Sequence, residues 1–319
     1  MKISILGTGA LGIAISKVLE NKGYTICMWT KFKEEKEALD LNRESSKLLP
    51  GIKVDKNVTI TDNLEETIAD ATLVINALPF IAVEQTAREL KKYIKSNQII
   101  CSTTKGIDDD TFKTTTEIFR QEMQSNILCA LSGPSFAIEL AKGENISFVL
   151  ASDDIDKCMV VKEIFESQNI TIEQSKDEIG IQICGAIKNA IAIGSGMLFG
   201  MEAADSTKAA YLARGIKDMV KVIEKLGGKE ETVYSFAGVG DLILTCMSEK
   251  SRNFSFGKLI GQGRTREEAI LGLGGKTVEG VKVIESLHNY MEKEKIQLDT
   301  IPKLYNVIYG NGKVESIKG

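Results

Sequence analysis

The stretch that most limits what this chain can become is Ile3-Ser4-Ile5-Leu6-Gly7-Thr8-Gly9-Ala10-Leu11-Gly12-Ile13-Ala14-Ile15. A short apolar run reads as a buried strand, and a glycine-rich turn follows at once. Ala10, Leu11, Ile13, Ala14, Val18 and Leu19 then carry the apolar spacing of a helix. Gly7, Gly9 and Gly12 fit Gly-x-Gly-x-x-Gly in the strand–turn–helix context that gives the motif meaning. The first glycine allows a tight turn, the second lets the backbone approach a pyrophosphate, and the third lets helix and strand pack closely. The helix N-terminus offers N–H groups and partial positive charge to the phosphates. A glycine-rich turn without a ligand would carry the same three residues, but strand, turn and helix in order favour dinucleotide binding.

The chain has 319 residues, which suits two domains or one large one. A hydrophobic content of 43% supplies a sizeable core, and a net charge of −4 leaves no basic footprint for nucleic acid. The N-terminus enters a strand directly, so no secretory leader is expected. The most apolar region, 181–199, is broken by Gln182, Gly185, Lys188 and Asn189, which argues against a membrane span. The six cysteines are scattered, without a Cys-x-x-Cys pair. They read as reduced core residues of a cytoplasmic protein, and no metal site is expected. The single histidine, His288, lies in an amphipathic stretch far from any motif and reads as a helix-surface residue. Another group must therefore move protons.

After the first helix, Tyr24–Trp29 reads as the second strand. In NAD-selective folds an acid near this strand end binds the ribose 2′-hydroxyl. Here the strand runs into Trp29-Thr30-Lys31-Phe32-Lys33, with no acid until Glu34. Two cations and a hydroxyl suit a 2′-phosphate, so NADPH/NADP is the expected cofactor and NADH/NAD the alternative. A charged helix over 34–46 follows. Leu73–Leu78 is a buried strand closed by Pro79, and Gln98–Thr104 is another, ending at Lys105-Gly106. A lysine at a strand's carboxyl end points toward the ligand crevice, although alone it reads better as a surface lysine. Ile127–Leu131 leads into the turn Ser132-Gly133-Pro134-Ser135-Phe136-Ala137, and strands at 147–151 and 170–173 follow. Strands alternating with helices predict a parallel, doubly wound, Rossmann-type sheet.

Near Lys176 the strand signals stop. The expected division is a dinucleotide-binding domain over 1–177 and an all-helical substrate domain over 178–319. Ile179–Phe199 is a long helix, apolar nearly all round, and should be buried. It carries Lys188 and Asn189. A charge inside such a helix costs several kcal/mol unless paired, so Lys188 must face a partner or a polar cavity. Thr207–Gly227 is a second helix. Glycine-rich Ala237–Leu242, then Thr245–Ser248 and Ser251-Arg252-Asn253 read as polar connections. Helices over about 265–271, 279–294 and 301–309 close the chain.

These residues together resemble the bacterial-type NAD(P)-dependent glycerol-3-phosphate dehydrogenases over nearly the whole length. The matching pieces are Gly7–Gly12, Lys105-Gly106, Ser132–Ala137 with Glu139, Gly185-Ala186-x-Lys188-Asn189, Gly238-x-Gly240-Asp241-Leu242-x-x-Thr245-Cys246, Ser251–Asn253 and Val278-Glu279-Gly280. The first piece is common to many dehydrogenases; the others are specific in this order and spacing. The resemblance implies reduction of dihydroxyacetone phosphate to sn-glycerol 3-phosphate, the backbone precursor of phospholipids. It implies Lys188 as the catalytic lysine, with Lys105 touching substrate and cofactor. Gly133, Ser135, Asn189, Asp241, Thr245, Ser251, Arg252 and Asn253 resemble the substrate-contacting set. Ala10, Leu11, Trp29, Lys31, Ala137, Arg252 and Glu279 lie where the family contacts the dinucleotide. By the same analogy the chain is a homodimer. Two departures stand out. Leu78-Pro79 replaces a Val-Pro pair and is followed by Phe80 instead of a small polar residue, beside the nicotinamide contact. Ala204–Lys208 matches the family's Asn-containing segment only loosely.

Hydride transfer to a ketone builds negative charge on oxygen, which a cation stabilises and an acid protonates. Lys188 can do both. A free lysine has a pKa of about 10.4; burial and Lys105 would lower it, whereas Asp241 would hold it up. The substrate phosphate needs donors, and Arg252 offers a planar fork and Asn253 an amide. Arg252 serves the substrate, the cofactor, or both. The rival enzyme readings are a β-hydroxyacid dehydrogenase or a ketopantoate reductase; the rival of another class is a non-catalytic NAD(P)-binding protein.

Overall fold

The computed structural model describes residues 1–275 and 278–319. It divides the chain into two compact units, Met1–Lys105 with Lys113–Glu178, and Gly106–Phe112 with Ile179–Gly319. The short segment 106–112 follows Lys105 in sequence yet belongs to the second unit. Ile107 and Phe112 are buried in that unit's core, the Phe112 ring lies 4.3 Å from that of Tyr290, and Ser286 donates to Asp109 Oδ1 at 2.9 Å.

The first unit is an eight-stranded sheet: β1 (Lys2–Leu6), β2 (Thr25–Trp29), β3 (Thr59–Thr61), β4 (Leu73–Asn76), β5 (Ile99–Ser102), β6 (Ile127–Ser132), β7 (Ile146–Ala151) and β8 (Ile170–Ser175). Their order is β3-β2-β1-β4-β5-β6-β7-β8. Helices α1 (Ala10–Glu20), α2 (Lys33–Asn42), α3 (Leu64–Ile68), α4 (Val83–Leu90), α5 (Thr115–Glu122), α6 (Ala137–Ala141) and α7 (Met159–Phe165) connect them. The central strands β4 and β5 are buried along their whole length because both faces are covered, whereas the edge strands β3 and β8 keep exposed polar residues. Leu73 and Ile75 join one core cluster and Val74 the other, as period-two alternation requires. The order reverses between β1 and β4, which marks the ligand-binding end of an open α/β sheet.

One pairing departs from the all-parallel expectation: β6 and β7 are antiparallel, with Leu131 opposite Leu150. The connecting helix α6 has five residues. At about 1.5 Å per residue it is too short to carry the chain back along a six-residue strand. The chain turns at the same sheet end and runs down as β7. The charged helix α2 also ends earlier than expected, at Asn42, where Arg43 adopts a left-handed conformation (φ 52°).

The second unit is helical: α8 (Glu178–Gly200), α9 (Asp205–Lys225), α10 (Glu230–Val233), α11 (Asp241–Cys246), α12 (Arg252–Gly261), α13 (Arg266–Gly272), α14 (Glu279–Glu294) and α15 (Thr300–Tyr309). Among the described residues α8 alone is long and apolar enough to cross a membrane, with mean hydropathy 1.4, but 89% of that window is buried in protein. It is the unit's core helix. Helix α12 escaped the sequence reading because Gly257 and Gly261 look like helix breakers. They are close-packing sites instead. A Cβ on Gly257 would lie 1.8 Å from the Ile193 carbonyl oxygen, and one on Gly261 2.2 Å from that of Met197. Gly196 and Gly200 of α8 reciprocate, 2.0 Å and 2.2 Å from the Phe254 and Lys258 carbonyl oxygens. His288 is not a plain surface residue: it stacks on Tyr305 at 3.8 Å. All six cysteines are buried and none forms a disulfide.

Candidate active site

In the first unit, each glycine of the N-terminal turn has a distinct geometric reason. Gly7 has φ +116°, and its N–H donates to the Trp29 carbonyl at 2.8 Å, tying the turn to the end of β2. A Cβ on Gly12 would lie 2.1 Å from the Gly7 carbonyl oxygen, so helix and turn touch there. Gly9 has nothing within 4 Å of its Cβ position. The first intrahelical bond runs from Ile13 N–H to the Gly9 carbonyl at 3.0 Å. The N–H groups of Ala10, Leu11 and Gly12 lie ahead of it, as helix geometry dictates. This is a cradle that a side chain would fill and that a pyrophosphate fits.

The carboxyl ends of β4, β5 and β6 add a polar row. Asn76 is fully buried; its Nδ2 donates to Thr104 Oγ1 at 2.8 Å and Ser102 Oγ at 3.3 Å, while its Oδ1 has no partner among the described residues. A buried acceptor left unpaired costs about 1–3 kcal/mol, so this sheet end is built to take a donor. Lys105 Nζ donates to the Gly133 carbonyl at 3.1 Å, and Ser135 Oγ to the same oxygen at 3.3 Å. Leu11, Lys105, Ser132 and Ser135 line one narrow pocket of this unit, bringing three of the expected site residues together. Gly133 is needed for packing as well: a Cβ there would lie 2.3 Å from the Ser147 carbonyl oxygen of the neighbouring strand. Ala137 opens α6 after Phe136.

In the second unit the centre is Lys188 on α8. Its side chain is 7% exposed and that of Asp241 1%. The ammonium pairs with Asp241 Oδ1 and donates to Thr245 Oγ1 at 3.0 Å. Thr245 Oγ1 in turn donates to the Asp241 carbonyl at 2.6 Å, one turn back on α11. A glycine-rich π-helical turn, Phe236–Gly240, delivers Asp241 to the start of α11. That stretch is helical rather than the polar connection read from sequence. Cys246 lies beside the pair, and burial pushes its thiol well above the usual range, with Lys188 pulling it back and Asp241 pushing it further up. The thiol therefore stays protonated, and the ammonium's anionic partner is Asp241.

The second cluster of expected residues gathers at the starts of α12 and α14. Ser251 Oγ caps α12 by accepting from Phe254 N–H at 3.3 Å. Asn253 Oδ1 accepts from Gly280 N–H at 2.9 Å and so holds the first turn of α14. A Cβ on Gly280 would lie 2.4 Å from the Asn189 carbonyl oxygen, which locks this turn against α8 next to Lys188. Arg252 and Glu279 are exposed on the first turns of α12 and α14.

Both halves of the chain match family models. Residues 2–158 match the N-terminal and residues 177–318 the C-terminal model of NAD-dependent glycerol-3-phosphate dehydrogenase. The chain belongs to this glycerol-3-phosphate dehydrogenase family. It is 36% identical to the glycerol-3-phosphate dehydrogenase [NAD(P)+] of Fusobacterium nucleatum, covering 98% of this chain and 93% of that one. It is 34% identical to the enzyme of that name from Clostridium perfringens, covering 99% and 95%. Among solved structures, the glycerol-3-phosphate dehydrogenase of Coxiella burnetii superposes with a TM-score of 0.92 at 26% identity, covering 99% and 97%.

Within this dehydrogenase frame several expected residues take unexpected places. Trp29 is buried in the core, its Nε1 donating to the Asp62 carbonyl at 3.2 Å. Its backbone, through Gly7, is what serves the turn. Lys31 is exposed, with Nζ 4.0 Å from Glu89 Oε1. Phe80, the departure from the family pattern, packs on the cluster that contains Leu6 and Trp29. Sequence reading missed Asn76 and Glu35. An amide ending an otherwise apolar strand was the signal for Asn76. Glu35 carried none, because a turn of helix brings it back to the strand end.

Proposed function

We propose that this chain transfers hydride between a nicotinamide dinucleotide and the central carbon of dihydroxyacetone phosphate, giving sn-glycerol 3-phosphate reversibly, with Lys188 as acid and base. Membership of the glycerol-3-phosphate dehydrogenase family supports the reaction. The buried Lys188–Asp241–Thr245 set carries the assignment of the proton. The nicotinamide, when bound, supplies the hydride chemistry.

The remaining work falls to side chains and backbone. Gly7, Gly9 and Gly12 with the first turn of α1 hold the pyrophosphate. As negative charge grows on the substrate oxygen, the Lys188 ammonium stabilises it and donates a proton; in the reverse direction the amine takes the proton back. Asp241 and Thr245 fix Nζ. Lys105, held by the Gly133 carbonyl, offers a cation at the carboxyl end of the sheet, the end that takes the ligand in open α/β folds. The Arg252 guanidinium, the Asn253 amide and the N–H groups opening α12 suit a phosphate. Ser251 Oγ accepts from Phe254 N–H and keeps its own proton to donate. The ketopantoate-reductase and β-hydroxyacid readings give way to the family match over both halves. Six buried cysteines, none in a disulfide, fit a reducing, cytoplasmic setting. The family resemblance supports a homodimer as part of the same proposal, and light scattering on purified protein tests it.

The functional test is oxidation of NADH and NADPH by purified protein, followed by loss of reduced-nicotinamide absorbance. Rapid oxidation with dihydroxyacetone phosphate, and far slower oxidation with dihydroxyacetone, is expected. Cofactor binding without turnover on the phosphorylated ketone would overturn the proposal in favour of a binding protein.

A further inference from the structure

At the carboxyl end of β2, the surface residues between 31 and 37 carry three lysines and three glutamates, so no net positive charge gathers there. Each lysine has a carboxylate at hand: Lys31 faces Glu89 at 4.0 Å, Lys33 Glu37 at 3.8 Å and Lys36 Asp40 at 3.4 Å. One glutamate points the other way. Glu35 Oε2 accepts from Thr30 Oγ1 at 2.8 Å and from Thr8 Oγ1 at 3.1 Å. Thr30 follows the last residue of β2, and Thr8 lies inside the glycine-rich turn between Gly7 and Gly9. Both threonines are buried, at 3% and 6% exposure. A single carboxylate oxygen thus bridges the turn after β1 and the end of β2, the place where an open α/β sheet receives the adenosine ribose.

We propose that Glu35 is the selectivity residue of the cofactor site: its carboxylate receives a ribose hydroxyl and repels a 2′-phosphate, so this chain favours NAD over NADP. The inference rests on the reading that Gly7–Gly12 holds the dinucleotide, and it reverses the preference suggested by Lys31. Glu35 is itself exposed, but its Oε2 is tethered by two buried hydroxyls. Lys31 reaches outward on an exposed, flexible stem, where a surface ion pair contributes little. A carboxylate tethered to both the turn and the strand end opposes the extra phosphate, and Lys31, Lys33 and Lys36 each lie within 4.0 Å of another carboxylate.

The test uses the chain's only tryptophan, Trp29, as a binding reporter. Its carbonyl accepts from Gly7 N–H at 2.8 Å, which ties the residue to the glycine-rich turn. Titrations of the purified full chain with NAD and NADP, and with AMP and adenosine 2′,5′-bisphosphate, give the ratio of dissociation constants without turnover. The wild type should bind NAD at least about tenfold more tightly than NADP, the discrimination expected of one fixed like charge near the surface. In Glu35→Gln, which keeps an acceptor for Thr8 and Thr30 but loses the charge, the ratio should narrow about tenfold. Most of that change should come from tighter NADP binding. AMP and its 2′-phosphorylated counterpart should follow the same order. A wild type that binds NADP as tightly as NAD, or a ratio unmoved in Glu35→Gln, overturns the assignment of Glu35 alone. Absence of binding by either dinucleotide overturns it together with the dehydrogenase reading.

Discussion

Replacing Asp241 with asparagine would leave the Lys188 ammonium buried without its anion. The two side chains are 7% and 1% exposed, so solvent does little to screen the loss. Breaking a buried pair on one side costs about 3–5 kcal/mol, because the remaining charge keeps its desolvation penalty. Lys188→Met should cost a similar amount through the orphaned carboxylate. The double variant Lys188→Met/Asp241→Leu removes both charges, and such replacements run from neutral to stabilising. The unit that contains the pair spans 106–112 and 179–319. For a unit of this size each kcal/mol moves Tm by roughly 2–4 °C. Calorimetric melts should therefore place each single variant about 10 °C below wild type and the double variant close to it. All three proteins should be inactive. Single variants that melt within about 2 °C of wild type, or a double variant as unstable as both losses added, would refute the view that this pair is tightly coupled.

Gly9 and Gly12 should separate binding from folding. Gly9→Ala adds a methyl in open space, at a backbone conformation any residue adopts, so Tm should hold while cofactor affinity falls more than about tenfold. Gly12→Ala forces a methyl against the Gly7 carbonyl and should lower the melting temperature. Equal cofactor affinity in Gly9→Ala and wild type would deny the turn its role. Arg252→Ala should raise KM for dihydroxyacetone phosphate by at least about tenfold, as loss of a charge-assisted hydrogen bond would, and leave the weak rate on dihydroxyacetone unaltered. An unchanged KM removes Arg252 from the phosphate site.

What could be read in advance followed local physics. The strand–turn–helix at the N-terminus was legible because three glycines in a fixed spacing have few other uses. The burial of α8 followed from its being apolar on every face, and a lysine within it had to find a partner. That the partner is Asp241, 53 positions further on, is invisible to periodicity and came only from the order of motifs. Helix α12 was hidden because glycine weakens an isolated helix, whereas here Gly257 and Gly261 let two backbones approach. The antiparallel turn at β7 depended on the length of α6, and helix ends are the least certain part of any pattern. Glu35 looked like one charge among many on α2, and only its bonds to Thr8 and Thr30 distinguish it.

The most direct measurement of the central claim is kcat of Lys188→Met in the reduction of dihydroxyacetone phosphate, with cofactor affinity followed in parallel through Trp29. A proton donor and charge stabiliser in one group accounts for at least about a thousandfold in rate. The variant should lose that much while binding dinucleotide as wild type does. A kcat within tenfold of wild type would contradict the account and leave the buried lysine with a structural role only.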